Sequence, residues 1–214
     1  MTMNVINVLA LHGYHGSSRI LRQQIQPLET ALPSSINLTY VDAPSLSRGD
    51  FGWWHEGFSG WERTRDWVID LAGQQHFHGV IGFSQGAALA GLLTAVQERA
   101  SDAAGGDRLG FRFAIMIGGF TSDAPQHADL FTRPLTTPSL HVAGSKDSIV
   151  PMRDSMRLAD RFADPVLMQH GGGHVIPDEP DAVSRIVDFA ARHAAALHTA
   201  VLAESAPDNG RDDA

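Results

Sequence analysis

The sequence predicts an α/β fold built on a mostly parallel, doubly wound sheet of about six strands flanked by helices. Three observations carry this. Short runs rich in Val, Ile, Leu and Phe recur along the chain, and stretches with helical spacing lie between them. The strand candidates also lack the apolar-polar alternation of a sheet with one wet face, as expected where helices cover both sides.

Val5 to Leu11 is the first strand candidate. After it, Ile20, Leu21, Ile25, Leu28 and Leu32 keep helical spacing, with Ser17 or Ser18 as N-cap and Pro27 expected to kink or split the helix. Ile36 to Val41 is the second strand, and an irregular segment, Asp42 to Gly60, leads to a helix whose buried stripe Trp61 and Trp67 would begin. Gly79 to Phe83 is the third strand. Gln85 to Ala100 follows as a helix whose first turns hold Gly86, Ala87, Ala88, Ala90 and Gly91, small residues that let it approach the sheet closely. Phe113 to Ile117, Leu140 to Ala143 and Val166 to Met168 complete the strands, with a second irregular segment from Phe120 to Pro138. In the last helix Val183, Ile186, Val187, Ala190, Ala194, Leu197 and Val201 form one stripe, as for a helix laid against a sheet.

With 214 residues, 43% hydrophobic and 19% charged, the chain has enough apolar material for one sizeable core, expected over residues 1–202. Residues 203–214 are acidic, have almost nothing to bury and read as a solvated tail. The net charge of −8 would repel phosphate backbones and anionic bilayers, which argues against nucleic acid as a partner. Val5 to Leu11 is too short to span a membrane and has no basic flank, so neither membrane insertion nor a leader is expected, and the expected location is cytoplasmic. There is no cysteine, which excludes disulfides, thiol catalysis and thiolate metal sites.

In a doubly wound sheet, ligands sit beyond the carboxyl ends of the strands, where both irregular segments start. Gly82-Phe83-Ser84-Gln85-Gly86 fits G-x-S-x-G, a serine on a tight strand-to-helix turn, and here a strand precedes it and a helix follows it. A serine hydroxyl needs a base to take its proton, and the partners of this turn follow in the order Ser, Asp, His. Asp147 lies in the loop after the fifth strand, and His174 lies in the loop His170-Gly171-Gly172-Gly173-His174 after the sixth. Both would sit above the sheet on the side of Ser84, with Asp147 fixing the tautomer of His174. Asp154 and Asp178 read instead as helix-end residues, and His170 as a structural or pocket-lining histidine. His170 and His174 are four apart, a zinc spacing on a helix, but three intervening glycines oppose a helix and no H-E-x-x-H is present. No metal or other cofactor is expected.

Acyl transfer also needs two backbone donors for the developing oxyanion. Gln85, following the nucleophile candidate, supplies one. Leu11-His12-Gly13-Tyr14-His15-Gly16 follows the first strand and is expected to offer the other through the amide of Tyr14, with His12 and His15 as loop braces. The segment Phe51 to Trp61 holds three of the four tryptophans. Trp53 and Trp54, with Phe120 from the other side, either wall a substrate pocket or cover the next helix.

Taken in order, Leu11-His12-Gly13-Tyr14, Asp42-Ala43-Pro44, Gly82 to Ala87, Pro138 to Gly144 with Asp147, and Gly172-Gly173-His174 resemble the α/β-hydrolase superfamily, and within it the FSH family of small serine hydrolases. Acyl-protein thioesterases carry a similar Gly-Phe-Ser-Gln-Gly turn. The resemblance implies Ser84 as nucleophile, Asp147 as acid, His174 as base, and a small-molecule carboxylic ester or thioester as substrate. No insertion after Ile117 is long enough for a lid domain, so an open or loop-covered cleft is expected. Two other readings keep the fold: a related reaction such as carbon-carbon bond hydrolysis, and a protein that holds an acyl or lactone ligand without turnover.

Overall fold

The computed structural model describes residues 5–44, 52–101 and 109–204. Its centre is a six-stranded parallel sheet in the order β2-β1-β3-β4-β5-β6, formed by β1 (Ile6–Leu11), β2 (Ile36–Val41), β3 (Gly79–Phe83), β4 (Ala114–Ile117), β5 (Ser139–Gly144) and β6 (Pro165–His170). Helices α1 (Ser18–Gln24), α2 (Gln26–Ala31), α3 (Trp61–Gln74), α4 (Gln85–Ser101), α5 (Met152–Ala159) and α6 (Pro180–Glu204) connect and follow the strands.

Alternate strand residues feed two cores, because successive side chains in a strand point to opposite faces. Leu9 and Leu11 of β1, Val80 of β3, and Ala114 and Met116 of β4 pack with residues of α3, α4 and α5. Val8 and Ala10, Ile81, Ile115 and Ile117 pack instead with Leu21 and Leu28 of α1 and α2 and with Ile186, Phe189 and Ala190 of α6. Right-handed crossovers require this split. The chain steps from β1 outward to β2, then reverses to β3 and onward, so the connecting helices must change faces at the reversal. The topological switch point therefore lies between β1 and β3, whose loops carry Tyr14 and Ser84.

Local chemistry sets the element ends. Pro27 divides the first helical stretch, since a proline nitrogen cannot donate to the preceding turn; α1 ends at Gln24 and α2 opens with Pro27 in its first turn. Of the two N-cap candidates, Ser17 takes the position, accepting the Ile20 amide at 3.2 Å, and Asp42 accepts the Ser18 amide at 2.6 Å. In α3 the buried positions Trp61, Thr64, Val68 and Ala72 make a helical stripe, and Trp67 packs at its margin. The irregular segment before β5 contains a 3₁₀ turn, Pro125–Phe131, and a single bridge from Leu135 to Phe162. The last helix runs through Glu204, past the domain end read at residue 202; the remainder of the acidic tail, 205–214, lies outside the described residues. Among the described residues no helix is long and apolar enough to cross a membrane.

Candidate active site

Ser84 stands at the end of β3 with φ 55°, the left-handed region that a side chain rarely occupies. The turn is held from both sides. A Cβ on Gly82 would collide with the Gly86 carbonyl, and one on Gly86 would collide with the Leu11 carbonyl, so the two flanking glycines are needed for close backbone approach. The Ser84 amide donates to Ile117 O at 2.9 Å, and the Ser84 carbonyl accepts Ala87 and Ala88 amides as α4 begins.

Loops after β5 and β6 bring the other two side chains in. The Ser145 amide donates to His170 O at 2.9 Å and the Lys146 amide to Gly172 O at 3.0 Å, prolonging the strand pairing into the loops. Gly144 has no room for a Cβ because the Gly173 carbonyl lies against it. His174 Nδ1 is 2.7 Å from Asp147 Oδ2, and His174 Nε2 is 2.8 Å from Ser84 Oγ. Asp147 Oδ1 accepts the Ile149 and Val150 amides at 2.9 and 2.8 Å. With Nδ1 facing a carboxylate, the neutral ring carries its proton there and presents the Nε2 lone pair to the serine hydroxyl.

Above Ser84 lies a cleft of about 630 Å³. Trp54, Phe58, Phe120, Ile149 and Val150 give it an apolar lining, to which Tyr14, Ser84 and Gln85 also contribute. Trp54 and Phe58 stack with ring centroids 5.0 Å apart. Phe58 has φ 62° and follows Gly57 at φ 66°, so the lining includes a bulky residue in a conformation that favours glycine. Among the described residues, no backbone carbonyl accepts the amide hydrogen of Tyr14 or Gln85.

The fold agrees with what the chain is similar to. A model of the serine hydrolase (FSH1) family matches residues 1–186. The chain belongs to this serine hydrolase family. It is 32% identical over 204 residues to esterase OVCA2 of Xenopus tropicalis, across 81% of this chain and 86% of that one. It is 29% identical over 224 residues to esterase OVCA2 of Danio rerio, across 87% of this chain and 97% of that one. Among solved structures, acyl-protein thioesterase 2 of Zea mays superposes with a TM-score of 0.67 at 20% identity, covering 90% of this chain and 95% of that one. A Bacillus cereus carboxylesterase superposes at 0.62 with 17% identity, covering 89% and 90%; both are likenesses of fold.

Of the residues singled out from the sequence of this serine hydrolase, Ser84, His174 and Asp147 form one hydrogen-bonded chain, and Tyr14, Gln85, Trp54 and Phe120 line the cleft beside it. Trp53 does not. Its side chain is fully buried, stacked on His12 at 4.6 Å with its indole N–H donating to His12 O at 2.7 Å, because only one of two consecutive aromatics can face the cleft here. Phe51 lies outside the described residues. His12 is a brace, as its loop position suggested. Its Nε2 accepts the Ala43 amide at 3.1 Å, which leaves the proton on Nδ1 to donate to Gly13 O at 2.8 Å. Burial lowers its pKa, with the Gly13 contact and Asp42 opposing. His170 is buried at the end of β6, and its Nδ1 accepts the Gly172 amide at 3.2 Å.

Sequence reasoning missed three charged residues of the cleft lining. Asp154 and Arg157 of α5 line the cleft together with Asp123, and Arg157 pairs with Asp123 at 2.8 Å. From the sequence, Asp154 reads as a helix-end residue. Its place in the first turn of α5 is legible, but which face of that short helix meets the cleft depends on how α5 docks.

Proposed function

We propose that the chain hydrolyses carboxylic esters or thioesters of small-molecule acyl compounds through an acyl-enzyme intermediate on Ser84. One observation carries the reading: the unbroken hydrogen-bond chain from Ser84 Oγ through His174 to Asp147, with distances of 2.8 and 2.7 Å. Ser84 Oγ attacks the carbonyl carbon as its proton passes to His174 Nε2, and the carbonyl oxygen becomes an oxyanion that accepts the Gln85 and Tyr14 amides. Collapse expels the alcohol or thiol, which takes the proton from His174. Water then attacks the acyl-serine, giving its proton to the same nitrogen, and the second collapse frees the acid and restores the serine hydroxyl. Asp147 stabilises the imidazolium that forms in each half. The esterase names of relatives about 30% identical support ester chemistry, and the walls of Trp54, Phe58 and Phe120 suit an apolar acyl group.

The experiment is intact mass after incubation with a fluorophosphonate, for the wild type and Ser84→Ala, followed by turnover of a series of esters and thioesters. A single adduct, lost together with turnover in Ser84→Ala, is expected. A folded wild type that forms no adduct would favour a protein that holds an acyl ligand without turning it over.

A further inference from the structure

The two amides assigned to the oxyanion belong to separate segments. Gln85 opens α4, whereas Tyr14 lies between β1 and α1. Their separation must be held to within a fraction of an ångström if both are to reach one oxygen atom, and the β1–β3 pairing ends at Leu11 and Gly82, three residues before each amide.

Trp53 bridges the two segments. Its backbone amide donates to the Gln85 side-chain Oε1 at 2.9 Å, and its indole N–H donates to the carbonyl of His12 at 2.7 Å. The Gln85 side chain completes a two-point clamp by donating from Nε2 to Trp54 O at 3.0 Å. Thr64 of α3 donates its hydroxyl to the Trp53 carbonyl, and the His12 ring is pinned by Ala43 and packed face to face on the indole. Trp53, Gln85, His12 and Thr64 are all buried, so these bonds act where water does not compete for them. On the opposite side the backbone of Gly13 runs against Ser84: a Cβ there would lie 3.2 Å from Ser84 Cβ. The loop carrying Tyr14 is therefore pressed against the nucleophile and tied through one tryptophan to the residue that follows it.

We propose that Trp53 and the Gln85 side chain are positioning residues that set the spacing of the Tyr14 and Gln85 amides around the oxyanion. This rests on the acyl-transfer reading above, and it gives the glutamine of the nucleophile turn a side-chain role distinct from its backbone one. The same network also makes Trp53 a core residue, and the two roles separate experimentally. A purely structural residue changes stability and the fraction of folded protein; a positioning residue changes the rate of each active site.

The test uses the full chain as wild type, Trp53→Phe, Gln85→Met and Ser84→Ala. Trp53→Phe keeps an aromatic on His12 but loses the indole donor. Gln85→Met keeps length and volume, loses both side-chain hydrogen bonds and leaves the backbone amide in place. Active sites are counted by complete fluorophosphonate labelling, kcat is expressed per labelled site with p-nitrophenyl butyrate, and a trifluoromethyl ketone reports binding of a tetrahedral adduct. Trp53→Phe and Gln85→Met are each expected to lose kcat per site on the order of tenfold or more with KM changed less than threefold, and inhibition by the ketone is expected to weaken in parallel. Values of kcat per site and inhibition within twofold of wild type overturn the inference while leaving the nucleophile in place. Turnover persisting in Ser84→Ala overturns the acyl-transfer reading itself. If Trp53→Phe does not fold, Gln85→Met decides alone.

Discussion

Asp147 holds His174 with one carboxylate oxygen and its own loop with the other. Oδ2 lies 2.7 Å from His174 Nδ1, while Oδ1 accepts two successive amides, those of Ile149 and Val150. The carboxylate cannot rotate toward or away from the imidazole without giving up both loop bonds. Through this anchor the turn before α5 fixes the direction in which a histidine on a different strand end presents its lone pair to Ser84.

That geometry gives Asp147→Asn a defined outcome. The amide oxygen takes the Ile149 and Val150 donors, so the side-chain NH₂ faces His174 Nδ1. Nδ1 must then accept, which moves the ring proton to Nε2 and removes the lone pair from Ser84. A loss in kcat of roughly 10³- to 10⁴-fold is expected, with a melting temperature close to wild type, measured by steady-state kinetics and thermal unfolding. A rate within tenfold of wild type would remove Asp147 from the acid role.

Much of this site was legible in the sequence because it is built from local signals. The glycines around Ser84 announce a tight strand-helix turn, and loops that follow parallel strands necessarily gather on one side of the sheet. Pro27 likewise marked the division between α1 and α2. Trp53 and Trp54 show where such reading stops. Adjacent residues of one type carry no signal for which faces the cleft; that is decided by the indole reaching the His12 carbonyl and by the Gln85 side chain grasping the peptide, contacts spanning 41 and 32 positions. Asp154, Arg157 and Asp123 were invisible for the same reason, since their meeting depends on the docking of α5 against the segment after β4.

Gly13→Ala should damage activity more than stability. The added methyl would sit 3.2 Å from Ser84 Cβ and 3.3 Å from Phe83 Cδ1, contacts that yield only if the loop or the serine shifts by a few tenths of an ångström. Such a shift costs about 1 kcal/mol of stability but displaces Ser84, the proposed nucleophile, relative to the Tyr14 amide. A fall in kcat/KM on the order of tenfold is expected, read beside a urea titration. Unchanged kinetics would show that the loop is free to retreat from Ser84.

Phe120→Ala tests which wall receives the acyl group. Phe120 lines the cleft and packs on the core margin, so its removal should leave acetyl esters nearly unaffected and slow longer acyl chains progressively. Each methylene that loses apolar contact forfeits up to about 0.8 kcal/mol, so a deficit in kcat/KM of about tenfold should build up over two or three methylenes. The comparison is an ester series differing only in acyl length. A deficit equal at every length would assign Phe120 to structure instead of substrate contact.

The acid limb of stability should carry the signature of His141. This side chain is buried in β5, with Nε2 3.1 Å from Ser139 Oγ and the Phe162 ring at 5.0 Å, and its Nδ1 has no hydrogen-bond partner among the described residues. Burial pushes its pKa down to about 3, against about 6.5 in an unfolded chain. As the pH falls through 6.5 the unfolded chain takes up a proton that the folded one refuses. Stability is therefore full above that pH, declines between 6.5 and about 3, and levels off below, where both states are protonated. At 1.36 kcal/mol per pH unit, the loss between pH 6.5 and pH 5 is about 2 kcal/mol. Burial lowers the pKa of His12, His127 and His193 as well, so they act in the same direction. His141→Asn removes one titrating group, and urea unfolding at pH 7, 6 and 5 should show its stability falling less steeply than wild type by about one proton. Parallel slopes would mean that His141 takes its proton within the folded state.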